Sequence, residues 1–156
     1  MTPILLAVSI WLHALATVVL IGHYTLLGLI YLPAFTQQLK GSALGATLES
    51  VAGRARLFVF GSLGIFVVTG VYLMLGDANY RGFGDFGNAW SVVMLVKHIL
   101  VLAMIGIGAY IDRGILTRLA DAATTGAAAR SLRQAANAMM VCGTVVLLLT
   151  AAAQVL

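Results

Sequence analysis

The sequence predicts an all-α integral membrane protein, a bundle of four transmembrane helices with its N and C termini on the outer (periplasmic) side. Three observations predict it. Of 156 residues, 62% are hydrophobic and only 9% charged, where a soluble domain carries roughly a quarter of its residues charged. Four stretches each hold the ~20 apolar residues that a helix needs to cross the hydrocarbon core. Most of the Lys and Arg residues fall in two of the segments between those stretches.

Helix one is expected over about residues 4–35. It has no basic n-region and no small-x-small cleavage site, and it outruns a signal h-region, so it reads as a retained span. It is too long to cross upright and must tilt or project. Pro33 marks a place where the chain turns, with Gln37, Gln38 and Lys40 as the exit. For residues 41–56 a weak helical period leaves two readings open, a short interfacial helix and a solvated connector.

Helix two is expected over 57–75, with Gly61, Gly64 and Gly70 as the small residues that let helices approach in lipid. The Gly-rich, aromatic segment 76–88 reads as an outer loop. Asn88 is placed to cap helix three and Trp90 to anchor it at the interface. Helix three spans 90–111 and extends as an amphipathic segment to about 122, ending near Thr124-Thr125-Gly126. Helix four spans 135–156 and carries the single Cys142, which excludes an intramolecular disulfide and a thiol-only metal cage. The connections are too short for a soluble domain, so residues 1–156 read as a single four-helix transmembrane domain.

Lys40, Arg54 and Arg56 follow helix one, and Arg113, Arg118, Arg130 and Arg133 lie between helices three and four. The positive-inside bias places both segments in the cytoplasm. The net charge of +4 is therefore topological, and membrane lipid rather than nucleic acid is the expected partner. Glu49, Asp77, Asp85, Asp112 and Asp121 are all expected at helix ends or in loops, which argues against a carboxylate proton relay. There is no P-loop, Gly-x-Ser-x-Gly or His-Glu-x-x-His, and no paired acids, so no catalytic residue is assigned.

Ionisable residues inside spans are functional hypotheses by default, and here they are His13, His23, Lys97 and His98. His13 and His98 both lie ~12 to 14 Å from the outer start of their helices, at 1.5 Å per residue. Two imidazoles at one depth on facing helices are what axial ligation of a b-type haem requires, and bundle cores host such groups. Lys97 points ~100° away from His98, and its stem can carry the ammonium outward, either to a haem propionate or simply to the surface. His23 lies ~15 Å deeper than His13. With Met139, Met140 and Met94 it offers a second haem or a soft copper site, because thioether and imidazole both suit copper. The plain alternatives are histidines that bond neighbouring helices and methionines that fill gaps.

The motifs Trp11-Leu12-His13, Leu32-Pro33, Arg54 with Arg56, Thr69-Gly70, Lys97 and the close of helix three from Gly108 to Arg113 resemble the copper resistance D (CopD-type) membrane family over roughly residues 9–118. The resemblance implies a bacterial inner-membrane protein associated with copper uptake. A distant similarity to HemJ-type haem-associated proteins implies roles for a helix-one His and a helix-three Lys, which His13 and Lys97 match. The chain departs from the CopD pattern at Leu20, where Trp is usual, at His23, where a second Gly is usual, and at His98. These added histidines favour haem. The sequence reading is thus a small bis-histidine haem b protein passing electrons beside membrane or periplasmic redox subunits. A CopD-type copper permease and a cofactor-free accessory subunit are the alternatives, and a HemJ-like oxidase is weaker because the helix-one spacing does not fit.

Overall fold

A computed structural model describes residues 2–119 and 125–156. Four helices long and apolar enough to cross a membrane make up the fold: α1 (Pro3–Gln38), α2 (Gly41–Leu75), α3 (Ala89–Arg118) and α4 (Thr125–Ala153). No strand occurs among the described residues. The expected four-helix class holds, and α1, α2 and the start of α4 run further than apolar composition alone marked out.

In α1 the chain does not turn at Pro33. A proline inside a helix cannot donate to the carbonyl four residues back, and its ring crowds that carbonyl. The helix absorbs this with a π-helical turn over Leu27–Tyr31, closed by the Leu32 amide donating to the Leu27 carbonyl, and runs on to Gln38. The turn comes at Leu39 and Lys40, both extended.

The segment 41–56 is neither a separate interfacial helix nor a connector but the first half of an unbroken α2. Leu44, Gly45 and Leu48 are buried on it, and a Cβ at Gly45 would run into the Leu119 carbonyl. At the end of the bundle that carries segment 76–88, the Asn88 side chain caps α3 by accepting from the Ser91 amide at 2.7 Å. Trp90, expected as an interfacial anchor, is instead buried and stands edge-on to Tyr80 of the outer loop. Helix α3 also passes through a π-helical turn, Ile111–Ile115, and a 3-10 turn to Arg118. The last residues of its expected extension, 120–122, and the Thr124 terminus lie outside the described residues, as does Asp121.

Helix α4 starts ten residues before its expected beginning. Thr125, Ala128, Ala129, Leu132, Ala135, Ala136, Met139, Gly143 and Val146 are buried on it, at the three- and four-residue spacing of one helix face. Against this small-residue face α1 crosses closely: Cβ atoms at Gly28 and Gly143 would meet Asn137 Oδ1 at 2.6 Å and Ile21 Cγ1 at 2.8 Å. Helix α1 packs along α2, and α4 packs against both α1 and α3, whereas α2 and α3 make almost no close backbone approach. The core gathers at the Arg-rich end, around Tyr24, Leu32, Leu48, Ile115, Leu119, Leu132 and Met139.

Of the three glycines expected to pack α2, only Gly70 meets a neighbour, the His13 ring; Gly61 and Gly64 face open space. Gly45→Ala should therefore lower the unfolding temperature in detergent, since overpacking costs about 1–3 kcal/mol, while Gly61→Ala should leave it unchanged or raise it. Equal stability of the two variants would refute the close approach at Gly45.

Candidate functional site: two cavities between α2 and α3

Because α2 and α3 stand apart, the space between them forms two cavities, termed outer for the one toward segment 76–88 and inner for the one toward the Arg-rich end. The outer one, about 210 Å³, is lined by His13 of α1, by Phe66, Gly70 and Met74 of α2, and by Met94, Lys97, His98, Val101 and Ile105 of α3. The inner one, about 220 Å³, is lined among others by His23, Tyr24, Arg56, Phe66, Val101, Met104, Ile105, Asp112 and Met139. Phe66, Val101 and Ile105 line both.

His13 is held from three sides. Its ring stacks on Phe66 with centroids 4.4 Å apart and planes at 23°, and its Cε1 lies 3.1 Å from where a Gly70 side chain would begin. Its Nδ1 is 2.9 Å from Thr69 Oγ1. That hydroxyl donates its own proton to the Ile65 carbonyl at 2.6 Å, so it must accept from His13. The proton on His13 is thereby on Nδ1, and Nε2 keeps its lone pair.

The same logic fixes His98. Its Nδ1 is 2.6 Å from the Met94 carbonyl, which can only accept, so Nδ1 of His98 carries a proton and, in the neutral ring, the lone pair is on Nε2. Both imidazoles thus have the form that metal-binding histidines take, one nitrogen anchored by a protein acceptor and the other free. Thr69 and the Met94 carbonyl supply these anchors. Thr69 stood in the sequence only as part of a Thr-Gly pair, and its spacing gave no sign of pairing with His13.

Sequence reasoning placed His13 and His98 on facing helices. They line one cavity, yet α1 and α3 do not pack against each other: α1 lies on α2 and α4, and α3 lies on α4. The two rings reach the cavity from different sides of a gap rather than across a helix interface, and Phe66 of α2 covers one face of His13. Lys97 is half-buried and lines the cavity beside His98. Met94 joins the outer cavity, and Met139 joins the inner one together with His23; Met140 lines neither. Met104 also lines the inner cavity.

Asp112 was expected at a helix end, but the extension of α3 carries it into the helix, where its Oδ1 lies 2.7 Å from Arg56 of α2. The pair ties α2 to α3 at the Arg-rich end. Among the described residues no group of three or more His, Cys, Asp or Glu is placed to hold a metal. The soft donors that line the cavities are their imidazoles and thioethers.

Four apolar crossing helices with imidazoles and thioethers around an internal gap define a small multi-pass membrane protein with a soft, neutral donor set. The chain belongs to the copper resistance protein D family, whose model matches residues 51–153, well over half of the chain. The match begins within α2, so His13 and the Leu32-Pro33 step lie before it. Members of this family are inner-membrane proteins, and the protein is accordingly a multi-pass membrane protein tied to copper resistance. No curated protein and no solved structure matches it.

The Arg56–Asp112 pair is partly exposed, with side chains 55% and 28% accessible. A double-mutant cycle with Arg56→Gln and Asp112→Asn should give a coupling of about 0.2–1 kcal/mol. A coupling of several kcal/mol would mean that the pair is far better shielded than the structure has it.

Proposed function

We propose that the protein passes copper, as Cu(I), across the inner membrane, and that the outer cavity is where the ion first binds. The observation that supports this reading is the shared cavity of His13, His98, Met74 and Met94, in which both imidazoles keep a free Nε2. Neutral imidazole and thioether donors suit a soft monovalent copper ion, and a family tied to copper resistance supplies the cargo. The ion would be taken by these donors, with Thr69 and the Met94 carbonyl holding the imidazoles in the ligating tautomer.

The bis-histidine haem b reading has less behind it. Free Nε2 atoms would serve a haem as well as copper, but the absence of α1–α3 packing removes the facing helices that reading assumed, and the family match favours copper. The redox subunits expected beside a cytochrome lose their motive with it.

Competition for Cu(I) against a chromophoric chelator, on detergent-purified protein, tests the proposal. His13→Ala and His98→Ala should each abolish tight retention at the outer site. Thr69→Val should weaken it about 10-fold or more, the usual effect of removing the group that orients a metal-binding histidine. Undiminished retention in both His variants would overturn the assignment. The dithionite-reduced visible spectrum of haem-supplemented protein should show no sharp alpha band; a stoichiometric one would restore the cytochrome.

The same reading sets the orientation, with Lys40 and the Arg-rich ends of α2, α3 and α4 in the cytoplasm and both termini outside. Alkaline phosphatase fused after Leu156 should be active and green fluorescent protein fused there dark. The reverse pair of results would invert the topology.

A further inference from the structure

The inner cavity has no part in the outer site, yet it carries the same chemistry. We infer that His23, Met104 and Met139 form a second Cu(I) station, in series with the outer one, and that the Phe66 ring is the partition between them. The inference rests on the copper reading above and deepens it.

Three observations converge. First, the two cavities are contiguous, because Phe66, Val101 and Ile105 line both. Phe66 is the aromatic member of that shared wall and lies flat on His13, so an ion leaving His13 inward meets this ring first.

Second, His23 has no hydrogen-bond partner among the described residues; its ring makes only an edge contact with Tyr24 beside it. A half-buried imidazole within a span has little water to bond, and an unsatisfied polar group in apolar surroundings is costly. The usual structural role of such a histidine, a bond to a neighbouring helix, is therefore not the one His23 performs. Third, His23 of α1, Met104 of α3 and Met139 of α4 all line this one cavity. Met139 is 5% exposed, so its thioether belongs to the interior and not to the lipid face.

The arrangement also has a direction. His13 and His23 are ten residues apart, which separates the two levels by roughly 15 Å along α1. Lys97 lines the outer cavity, and Arg56 and Asp112 are among the residues that line the inner one. Soft donors thus occur at two depths of one gap, with an aromatic ring between them. An ion handed from the first set to the second changes neither charge nor oxidation state, so the step needs no reductant.

Anaerobic Cu(I) titration of the purified full-length chain against a colorimetric chelator counts the stations. Wild type should retain two equivalents, His13→Ala one, His23→Ala one, and the double variant none. Met104→Leu with Met139→Leu, a volume-conserving pair that core packing tolerates, should also lose one equivalent and guards against misfolding of the His23 variant. Two equivalents retained by both inner-site variants, or a single wild-type equivalent lost only in His13→Ala, would refute the second station and leave the proposed function standing. No retained equivalent in wild type would refute both. In proteoliposomes Phe66→Ala should speed Cu(I) entry and Phe66→Trp slow it; unchanged rates in both would remove Phe66 as the partition.

Discussion

The close crossing of α1 over the small-residue face of α4 is the contact from which the rest of the arrangement follows. Lipid tails are as apolar as leucine, so no hydrophobic force draws membrane helices together, and close backbone approach is set by small residues and interhelical bonds. Helix α4 presents Ala128, Ala129, Ala135, Ala136 and Gly143 on one face, and α1 meets it with Gly28. Helix α3 settles on the same α4, and α2 is held by α1. Four helices joined in this order leave α3 seamed to α4 alone, with no packing seam to α2 or to α1. The two cavities are what that missing seam leaves behind, and the Arg56–Asp112 pair is the tie that closes it at the inner end.

This origin explains why the site is assembled from three or four helices with so few polar atoms. A gap between apolar helices is lined by whatever side chains face it, and the lining here is apolar apart from the imidazoles, Lys97 and the groups at the inner end. The chemistry is then set by anchoring rather than by number of ligands. Thr69, whose proton is committed to the Ile65 carbonyl, forces one tautomer on His13, and the helix backbone at Met94 forces the same one on His98.

The spans were legible because crossing a bilayer demands ~20 apolar residues, and the Arg-rich segments between them were plain from charge alone. The helix ends were not. Hydropathy reports what faces lipid, whereas residues 41–56 and 125–134 carry Glu and Arg on the same turns whose other faces, Leu44, Leu48, Ala128 and Leu132, build the core. Their apolar period was present but diluted by charge. Asp112 falls just past the α-helical part of α3, in its π-helical turn, and its pairing with Arg56 has no sign in the sequence. The histidines stood out as costly residues in a span, but which helices face which depends on the α4 seam, and that is invisible in any one helix's pattern. Hence a shared depth for His13 and His98 could be read, while the gap between their helices, the part of Phe66 and the choice of Met104 over Met140 could not.

Lys97 is the residue that the copper reading must accommodate, because a cationic side chain lines the outer cavity where a cation is to bind. Two like charges 4 Å apart repel by about 4 kcal/mol at an effective dielectric of 20, enough to weaken binding by several hundredfold. A permeation site is served by such a term: an ion must bind well enough to enter and loosely enough to leave. Four neutral soft donors in an apolar cavity would otherwise hold Cu(I) as a trap. The lysine stem is long enough to carry its ammonium toward the outer surface when an ion arrives and to return once the ion has moved inward. On this reading Lys97 serves the site by opposing the ion rather than by ligating it, and its place beside His98 follows from the requirement that the outer station release what it takes up.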